Sequence, residues 1–320
     1  MNNNDTEHFP HTFLGETLAF RKYFFSFFCL NSITVCVMLL CFILLFYFKI
    51  GPYHELYLYQ TKKLNDQSNI DTIFIGDSSL GNAINANLFN SKTGLKSVNL
   101  ALTGMYGYAG SYNMLKKAVR KNRIKNVIMI QTIETLTRSV SYDGYLYSMD
   151  SLSDFTELQG NEITSLLEAS INILFSFNNL KRVIFFYFNN SINTYTIEKD
   201  YIKQTIPIKQ NINTPKIRIK VDNDKPSFLK KIVDYCNQNH INLIYLHGPY
   251  LGKIDEQSKT DINALNSFIK LTGAKLVETI PFLTTEQVGD QRDHVHPSYK
   301  DMITLFYCKT IKEQLLTGGD

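Results

Sequence analysis

The chain has 320 residues, of which 44% are hydrophobic and 19% charged, and its formal net charge at pH 7 is +4. This composition suits one large or two small globular domains and excludes a disordered or fibrous protein. The basic residues are spread along the chain, without an arginine-rich block or a basic face interleaved with aromatic residues. Nucleic acid is therefore not expected as a partner.

The first predicted element is a membrane-spanning helix. Residues 23–48, YFFSFFCLNSITVCVMLLCFILLFYF, contain no charged residue and exceed the ~20 residues that a helix needs to cross a bilayer. A cleaved signal peptide is the alternative, but its apolar region normally has only ~7 to 15 residues and ends at small residues, a pattern that is missing here. We expect a cytoplasmic tail at 1–22, a transmembrane helix at 23–48 and a juxtamembrane connector, helical towards its end, at 49–70.

Basic residues flank this segment on both sides, with Arg21 and Lys22 before it and Lys49 after it. The positive-inside rule therefore favours a cytoplasmic N-terminus only slightly. A single span followed by a long globular part is the usual arrangement of a single-pass anchor. We expect the globular part to lie outside the cytoplasm, on the periplasmic or extracellular side of the cytoplasmic membrane.

The five cysteines give little information about the redox compartment. Cys29, Cys36 and Cys41 lie in the apolar segment, and Cys236 and Cys308 lie in the globular part without a metal-like spacing. The last two could form a disulfide in an oxidising compartment. We favour the other interpretation, two buried thiols.

From residue 71 onwards, short apolar runs alternate with amphipathic segments. The runs typical of strands are 72–76, 96–100, 126–131, 241–248 and 274–280. The segments with helical spacing of apolar residues are 110–122, 225–240, 255–273 and 297–316. Near-continuous apolar strands separated by helices indicate a parallel sheet covered on both faces. We expect a doubly wound α/β domain in 71–320, with its site at the carboxyl ends of the strands.

The alternation is interrupted by an insertion at about 138–225. Its residues 161–188 are apolar and rich in aromatic residues but contain Lys181 and Arg182. Neither half on the two sides of this basic pair is long enough to span a bilayer. We expect a helical cap or lid on the domain, with contact to the membrane surface as the alternative.

A serine follows the first predicted strand, in the sequence Gly76-Asp77-Ser78. The strand would deliver Ser78 to the edge of the sheet, where the first amides of the next helix can face a developing oxyanion. The alternative is an ordinary turn that caps a helix.

A histidine and a carboxylate near the other end of the chain support the chemical interpretation. Asp293 and His296 are three residues apart, just before Pro297 and the last predicted helix. This spacing lets the carboxylate hold Nδ1 of the imidazole, so that Nε2 can take a proton from a hydroxyl group. Because a parallel sheet gathers the ends of its strands on one side, Ser78 and His296 can meet despite their separation in sequence.

Three sequence blocks occur in an order that is similar to a known family. GDSS after the first strand, NLALTG after the second and DHVHPS before the last helix resemble the SGNH, or GDSL-type, hydrolases over most of residues 70–315. The resemblance implies a three-layer α/β/α flavodoxin-like domain with Ser78 as nucleophile, His296 as general base and Asp293 as its orienting carboxylate. It also implies that the backbone amides of Ser78 and Gly104 bind the oxyanion, although Gly104 could simply be a turn glycine.

One block departs from the family pattern. After the third strand the family shows Gly-x-Asn-Asp, whose asparagine completes the oxyanion hole, whereas this chain has IMIQTIETL. Gln131, Thr132 or Glu134 could occupy the space, and Gln131 could donate an amide hydrogen. Losing one such donor typically costs ~3 kcal/mol of transition-state stabilisation. The sequence therefore permits catalysis but does not require it.

Other polar residues are weaker candidates for the site. Tyr106 and Tyr108 could stack on a sugar ring or pack in a loop, and His247 at the end of the fourth strand could line the site. His294 is expected to be a solvent-facing neighbour of the triad. Asp77 is assigned to the geometry of the loop rather than to the chemistry.

The resemblance implies a function in cell-envelope polysaccharide modification. Membrane-anchored, outward-facing members of this family commonly act as O-acetylesterases or O-acetyltransferases on envelope glycans. We expect an envelope or lipid-linked glycan as substrate, an acyl-Ser78 intermediate and, for transfer, a membrane acyl-donor protein as partner. The alternatives are a non-catalytic envelope polysaccharide assembly or binding protein with a degenerate SGNH fold, and a lipase or thioesterase. The sequence has no phosphate-binding loop or zinc motif, so neither a cofactor nor a metal is expected.

Overall fold

The computed structural model describes residues 12–48, 54–135, 142–175, 196–198, 200–204, 227–252 and 256–316. The helices in this part of the chain are α1 (Thr12–Phe48), α2 (His54–Asp66), α3 (Ser78–Ala83), α4 (Ala86–Thr93), α5 (Gly107–Lys121), α6 (Tyr142–Ser148), α7 (Gly160–Phe175), α8 (Ser227–Gln238), α9 (Glu256–Leu271) and α10 (Lys300–Leu316). The strands are β1 (Thr72–Gly76), β2 (Ser97–Asn99), β3 (Asn126–Gln131), β4 (Ile197–Glu198), β5 (Tyr201–Ile202), β6 (Asn242–His247), β7 (Tyr250–Leu251), β8 (Lys275–Val277) and β9 (Phe282–Leu283).

The main sheet has five parallel strands in the order β2-β1-β3-β6-β8. Among the five strands of this sheet the order is second, first, third, fourth, fifth, which is the flavodoxin-like doubly wound arrangement. The predicted α/β fold class is confirmed. The predicted strands 72–76 and 126–131 have the observed bounds, and the other three are shorter than predicted.

Side chains alternate between two hydrophobic layers, as the two-residue period of a strand requires. In β3, Val127 and Met129 face the layer that holds α5, α8 and α9, whereas Ile128 and Ile130 face the layer that holds α3, α4 and α10. The central strands are buried on both faces. This double burial is why their sequences are continuously apolar.

Helix α2 is part of the folded domain. Its Leu56, Tyr57 and Leu64 are at most 1% exposed, and the Gln60 side-chain amide donates to the carbonyl of Ala101, just beyond β2. The helix therefore packs beside the edge strand of the sheet, which would otherwise be open to pairing with another chain. The helical end that we predicted for the connector is confirmed, and it contributes to the core.

Helix α1 contains the predicted apolar segment and begins at Thr12, ahead of the predicted start at residue 23. Within the described residues, Phe20–Leu40 is the one helical stretch long and apolar enough to cross a membrane. Its mean hydropathy is 2.0, and none of it is buried in the protein. Such a helix near the N-terminus is compatible with a membrane span or with a signal sequence.

The described part of the insertion is helical at its start and ends in a hairpin. Helices α6 and α7 pack against each other, α6 contacts α5, and α7 also contacts α1. A 3₁₀ helix at Leu152–Glu157 is held to α5 by Lys116, whose ammonium lies 2.8 Å from Asp154 and 2.7 Å from Glu157. Strands β4 and β5 form an antiparallel pair. The basic pair Lys181 and Arg182 lies outside the described residues.

Cys236 and Cys308 are buried free thiols. They belong to the two opposite hydrophobic layers of the sheet, so they cannot pair without unfolding the domain. Burial raises the pKa of the Cys236 thiol to about 12 and also raises the pKa of Cys308. The prediction of two core thiols is confirmed.

Candidate active site

Ser78 lies at the carboxyl end of β1. The strand ends at Gly76, and Asp77 caps the helix whose first residue is Ser78. A Cβ atom at Gly76 would lie 1.8 Å from the carbonyl oxygen of Ile130, so only glycine fits there. Ser78 is half-buried, and within the described residues its hydroxyl group makes no hydrogen bond to the protein. The fold therefore leaves this hydroxyl available at the sheet edge where doubly wound proteins bind ligands.

Asp77 ties the ends of β1 and β3 together. One carboxylate oxygen accepts from the amide and hydroxyl of Ser79, at 2.9 and 2.6 Å. The other accepts from the Thr132 amide at 3.1 Å and the Thr135 hydroxyl at 3.0 Å. With both oxygens occupied and 2% exposure, Asp77 maintains the loop geometry, as predicted. Ser79 is fully buried, so Ser78 is the accessible serine of the two.

The Gln131 side chain contacts Ser111 on α5 and Thr135 in the loop after β3. As an odd-numbered residue of β3 it faces α5, where its amide nitrogen lies 3.4 Å from the Ser111 hydroxyl. It is fully buried. Glu134 accepts a 2.6 Å hydrogen bond from Tyr250, and the Thr132 hydroxyl is buried without a hydrogen-bond partner in the described part of the chain. Of the three predicted substitutes for the missing asparagine, only Gln131 has a side-chain amide, and that side chain is fully buried.

The two backbone amides predicted for the oxyanion hole are both unused. The chain beyond β2 stays beside β1, with the Leu102 amide donating to the Gly76 carbonyl at 2.9 Å. Gly104 follows in a turn and is half-buried. Across the residues that the structure describes, neither the Gly104 amide nor the Ser78 amide donates to a protein acceptor. Both are free to bind an oxyanion.

His294 is the histidine that contacts carboxylates. Its Nδ1 lies 2.6 Å from Asp290, and its Nε2 lies 3.8 Å from Asp293. His294 is 6% exposed, so the prediction that it faces solvent is wrong. Burial lowers the pKa of His294, but the hydrogen bond to Asp290 and the charges of Asp293, Asp290 and Asp77 outweigh burial, and the net pKa is raised. Sequence reasoning missed Asp290, although its spacing of four residues from His294 was a usable signal.

His296 is placed differently from the prediction for the triad. It caps the short 3₁₀ turn Pro297–Tyr299, and its Nδ1 accepts from the Ser298 amide at 3.3 Å. In the described part of the chain no hydrogen bond joins His296 to Asp293 or to Ser78. The ring is half-buried. The pairing of His296 with Asp293 thus stays a prediction.

Gln204, after the hairpin, connects α3 to the histidine loop. Its side-chain amide donates to the Asn82 side chain at 2.8 Å and to the Val295 carbonyl at 2.7 Å. Asn82 lies one turn after Ser78 and donates to its carbonyl oxygen. Residues of the insertion therefore link the helix of the candidate nucleophile to the residue that precedes His296, a contribution that the sequence did not indicate.

A cleft of about 180 Å³ opens at this junction. Its lining includes Asn82 on α3, Gln204, Val295 and Pro297 on either side of His296, and Lys300. The Lys300 ammonium donates to the Gly81 carbonyl at 2.9 Å, which fixes α10 against α3. Ser78 and His296 are thus each adjacent to residues that line one cleft, although neither lines it itself.

The remaining candidates lie in the core. Tyr106 is 1% exposed and stacks on Tyr57 at 6.0 Å between ring centroids. Tyr108 shares a 2.7 Å hydrogen bond with Tyr245, and burial raises the pKa of both hydroxyls. His247 is fully buried, and burial lowers its pKa. Tyr106 and Tyr108 therefore pack in the core, which was the alternative to stacking on a sugar ring. His247 is likewise enclosed in the core.

Comparison with known proteins gives matches at the level of structure alone. No protein-family model matches the chain, and no curated protein matches it. A lipolytic protein of the G-D-S-L family from Desulfitobacterium hafniense matches at 10% identity with a TM-score of 0.34, over 75% of this chain and 99% of the other. An acetyl xylan esterase from Butyrivibrio proteoclasticus matches at 12% identity with a TM-score of 0.30, over 78% of this chain and 65% of the other. Both TM-scores are below 0.5, so the proposals below depend on the residues of this chain.

Proposed function

We propose that this chain is a membrane-anchored serine esterase or O-acyltransferase of the SGNH type, with Ser78 as its nucleophile. The observation that carries the proposal is the position of Ser78. Its hydroxyl group lies at the carboxyl end of β1 without a hydrogen bond to the described residues, whereas Ser79 and Asp77 are both engaged in the loop. The unused amides of Ser78 and Gly104 support the same assignment, because acyl transfer requires donors for the oxyanion.

In the proposed reaction, Ser78 Oγ attacks the carbonyl carbon of an acyl ester while a histidine takes its proton. The amides of Ser78 and Gly104 bind the oxyanion of the tetrahedral intermediate. The histidine returns the proton to the departing alkoxide, which leaves an acyl-Ser78 ester. Water or a sugar hydroxyl then attacks this ester with the same histidine as base, which gives hydrolysis or transfer.

We assign the general base to His296, with Asp293 as its orienting carboxylate. A base needs its lone pair on Nε2 and its proton on Nδ1, whereas Nδ1 now accepts from the Ser298 amide. That hydrogen bond is long, at 3.3 Å, and the assignment requires His296 to release it and to turn its Nδ1 towards Asp293. The Asp290–His294 pair is assigned to positioning the loop. With Gln131 directed into the core, two donors serve the oxyanion instead of three, which predicts a turnover about a hundredfold slower than with a complete site.

The lining of the cleft includes hydrogen-bonding groups that suit a glycan substrate. Asn82, Gln204 and Lys300 offer hydrogen-bonding groups to sugar hydroxyls, and the apolar surface of the same cleft can pack against the face of a sugar ring. We propose an envelope or lipid-linked glycan as substrate, α1 as the membrane anchor with a cytoplasmic N-terminus, and a membrane acyl-donor protein as partner for transfer. The insertion is proposed as the lid that limits access of water.

A fluorophosphonate probe tests the nucleophile in the full chain in detergent. We expect the wild type to be labelled and the Ser78→Ala variant to stay unlabelled. Ser91→Ala is the matched control, because Ser91 lies on α4 and bonds only within its helix; its labelling should equal that of the wild type. Equal labelling of wild type and Ser78→Ala would refute the assignment.

The hydrolysis of p-nitrophenyl acetate distinguishes the proposed roles of His296 and His294. We expect His296→Ala to lower kcat at least a hundredfold without changing the melting temperature. His294→Ala should lower the melting temperature as well, because it removes the hydrogen bond between the buried imidazole and Asp290. If only His294→Ala abolished activity in a folded protein, the base would be His294.

The engaged Gln131 side chain favours one alternative, a non-catalytic envelope assembly or binding protein. In that case Ser78→Ala and His296→Ala would both leave the cellular phenotype intact. Loss of residues 139–224 would abolish it.

A further inference from the structure

A second cleft lies beside the edge strand β2. It has a volume of about 570 Å³ and is formed by α2, α4, β2 and the hairpin. Clefts of this size accommodate small ligands. Its lining is strongly polar and includes Lys62, Lys63, Asp66, Gln67, Asn87 and Asp200.

Lys63 is the unusual residue of this second cleft. Its side chain is 11% exposed, and its Nζ is fully buried without a hydrogen-bond partner in the described part of the chain. The nearest carboxylate, Asp200, is 4.0 Å away, and the ring of Tyr59 lies 5.4 Å from Nζ. An ammonium group carries three donors, and a buried charge without hydrogen bonds is destabilising. This cost would fall if Nζ gained an acceptor, which requires the Lys63 side chain to turn its ammonium group into the second cleft that it lines.

The lowered pKa of Lys63 is consistent with an ammonium group that lacks hydrogen-bond acceptors. Burial is the largest cause that lowers its pKa, Asp200 opposes burial, and the charge of Lys300 adds to the lowering, so that the net pKa is about 8. A bound anion beside Nζ would restore the charged form.

We propose that the second cleft binds an acidic sugar, with its carboxylate on the ammonium of Lys63. Asp66 and Asp200 would accept hydrogen bonds from hydroxyl groups, and the amides of Gln67 and Asn87 can donate or accept. The two carboxylates repel a doubly charged phosphate more strongly than a singly charged carboxylate. A sugar with one carboxylate fits this set of groups, because its carboxylate can pair with the single buried ammonium group and its hydroxyl groups with the carboxylates and amides.

The second cleft adjoins the candidate active site. Asp200 lines the second cleft, and the next residue, Tyr201, lines the cleft at α3. The Tyr201 hydroxyl donates to the Leu102 carbonyl at 2.7 Å, which holds the hairpin between the two clefts. One glycan chain could therefore contact both, with an acidic unit at Lys63 and an esterified unit near Ser78.

Calorimetric titration of the full chain in detergent with D-glucuronate tests the proposal. We expect glucuronate to bind at least tenfold more tightly than D-glucose or inorganic phosphate, and Lys63→Met to weaken glucuronate binding at least tenfold. Lys92→Met is the matched control, since Lys92 is an exposed lysine on α4 that does not line the second cleft; its affinity should be unchanged. Ser78→Ala should also bind normally, so this result is independent of the proposed catalysis.

The proposal is overturned if glucose binds as tightly as glucuronate, if phosphate binds more tightly, or if Lys63→Met binds like the wild type. Failure of the wild type to bind glucuronate at millimolar concentration would overturn it as well. Asn87→Ala, which keeps Lys63, provides a second variant with an expected severalfold loss of affinity. A circular dichroism melt establishes that each variant is folded.

Discussion

Replacing Lys63 by methionine should change how the stability of the protein depends on pH. The pKa of Lys63 is lowered from its ordinary 10.5 to about 8, mainly by burial. Below pH 8 the lysine is charged in both the folded and the unfolded chain. Above pH 8 the folded chain releases the proton while the unfolded chain keeps it, so the unfolded state binds more protons and stability rises with pH. By pH 9.5 the wild type should gain about 2 kcal/mol relative to Lys63→Met.

Urea unfolding of both proteins in detergent, followed by circular dichroism at pH 7 and at pH 9.5, measures this difference. Titration of other groups largely cancels in the comparison, and burial raises the pKa of the neighbouring Tyr59 hydroxyl, which keeps it out of this range. At pH 7 we expect Lys63→Met to be more stable than the wild type, because it removes a buried charge. A difference that stays constant between the two pH values would refute the proposed environment of Lys63. The charged groups that face or border this environment are Asp200, Lys300, Lys62 and Asp66.

Three further predictions concern the frame of the site and the core of the domain. Asp77→Ala removes an acceptor of four hydrogen bonds and should lower the free energy of unfolding by about 3 kcal/mol or more, measured in urea. Gly81→Ala places a methyl group 2.4 Å from the ring of Tyr201 in the hairpin, so it should lower the free energy of unfolding by about 1 to 3 kcal/mol and reduce fluorophosphonate labelling. Gly160→Ala is the control, because its methyl group would have nothing within 4 Å, and it should change neither quantity. Cys236 and Cys308 should resist maleimide until the protein is denatured, because both are buried with raised pKa values; peptide mapping that finds either one labelled in the native protein would contradict this.

The strands were predictable where burial alone decides the sequence. Strands β1 and β3 are central and buried on both faces, so their apolar runs match the observed bounds. The strand predicted for 274–280 ends at Val277, because Glu278 turns to Lys270 and Asn266 on α9 instead of continuing the sheet. Helix α4 was missed, although Asn85 and Gly94 cap it at its two ends.

The sequence predicted the residues of the site that follow directly from the end of a strand. It did not predict the contacts that depend on the direction of a side chain. The position of Ser78 follows from the strand before it. The direction of Gln131 was available in principle, because it alternates with Met129 and Val127, which face α5. The contact between Asp290 and His294 and the bridge through Gln204 depend on how loops pack, which no local pattern encodes.

The short separation between α1 and α2 limits how far the domain can move. Helix α1 ends at Phe48 and α2 begins at His54, which is already part of the folded domain. Even a fully extended chain over residues 49–53 reaches only about 20 Å. With α1 in the bilayer as proposed, the domain stays in a thin layer beside the membrane surface, and its effective concentration towards lipid-linked molecules there is high. Glycans still attached to lipid, or newly released from it, are therefore within reach, whereas polymer deeper in the envelope is not.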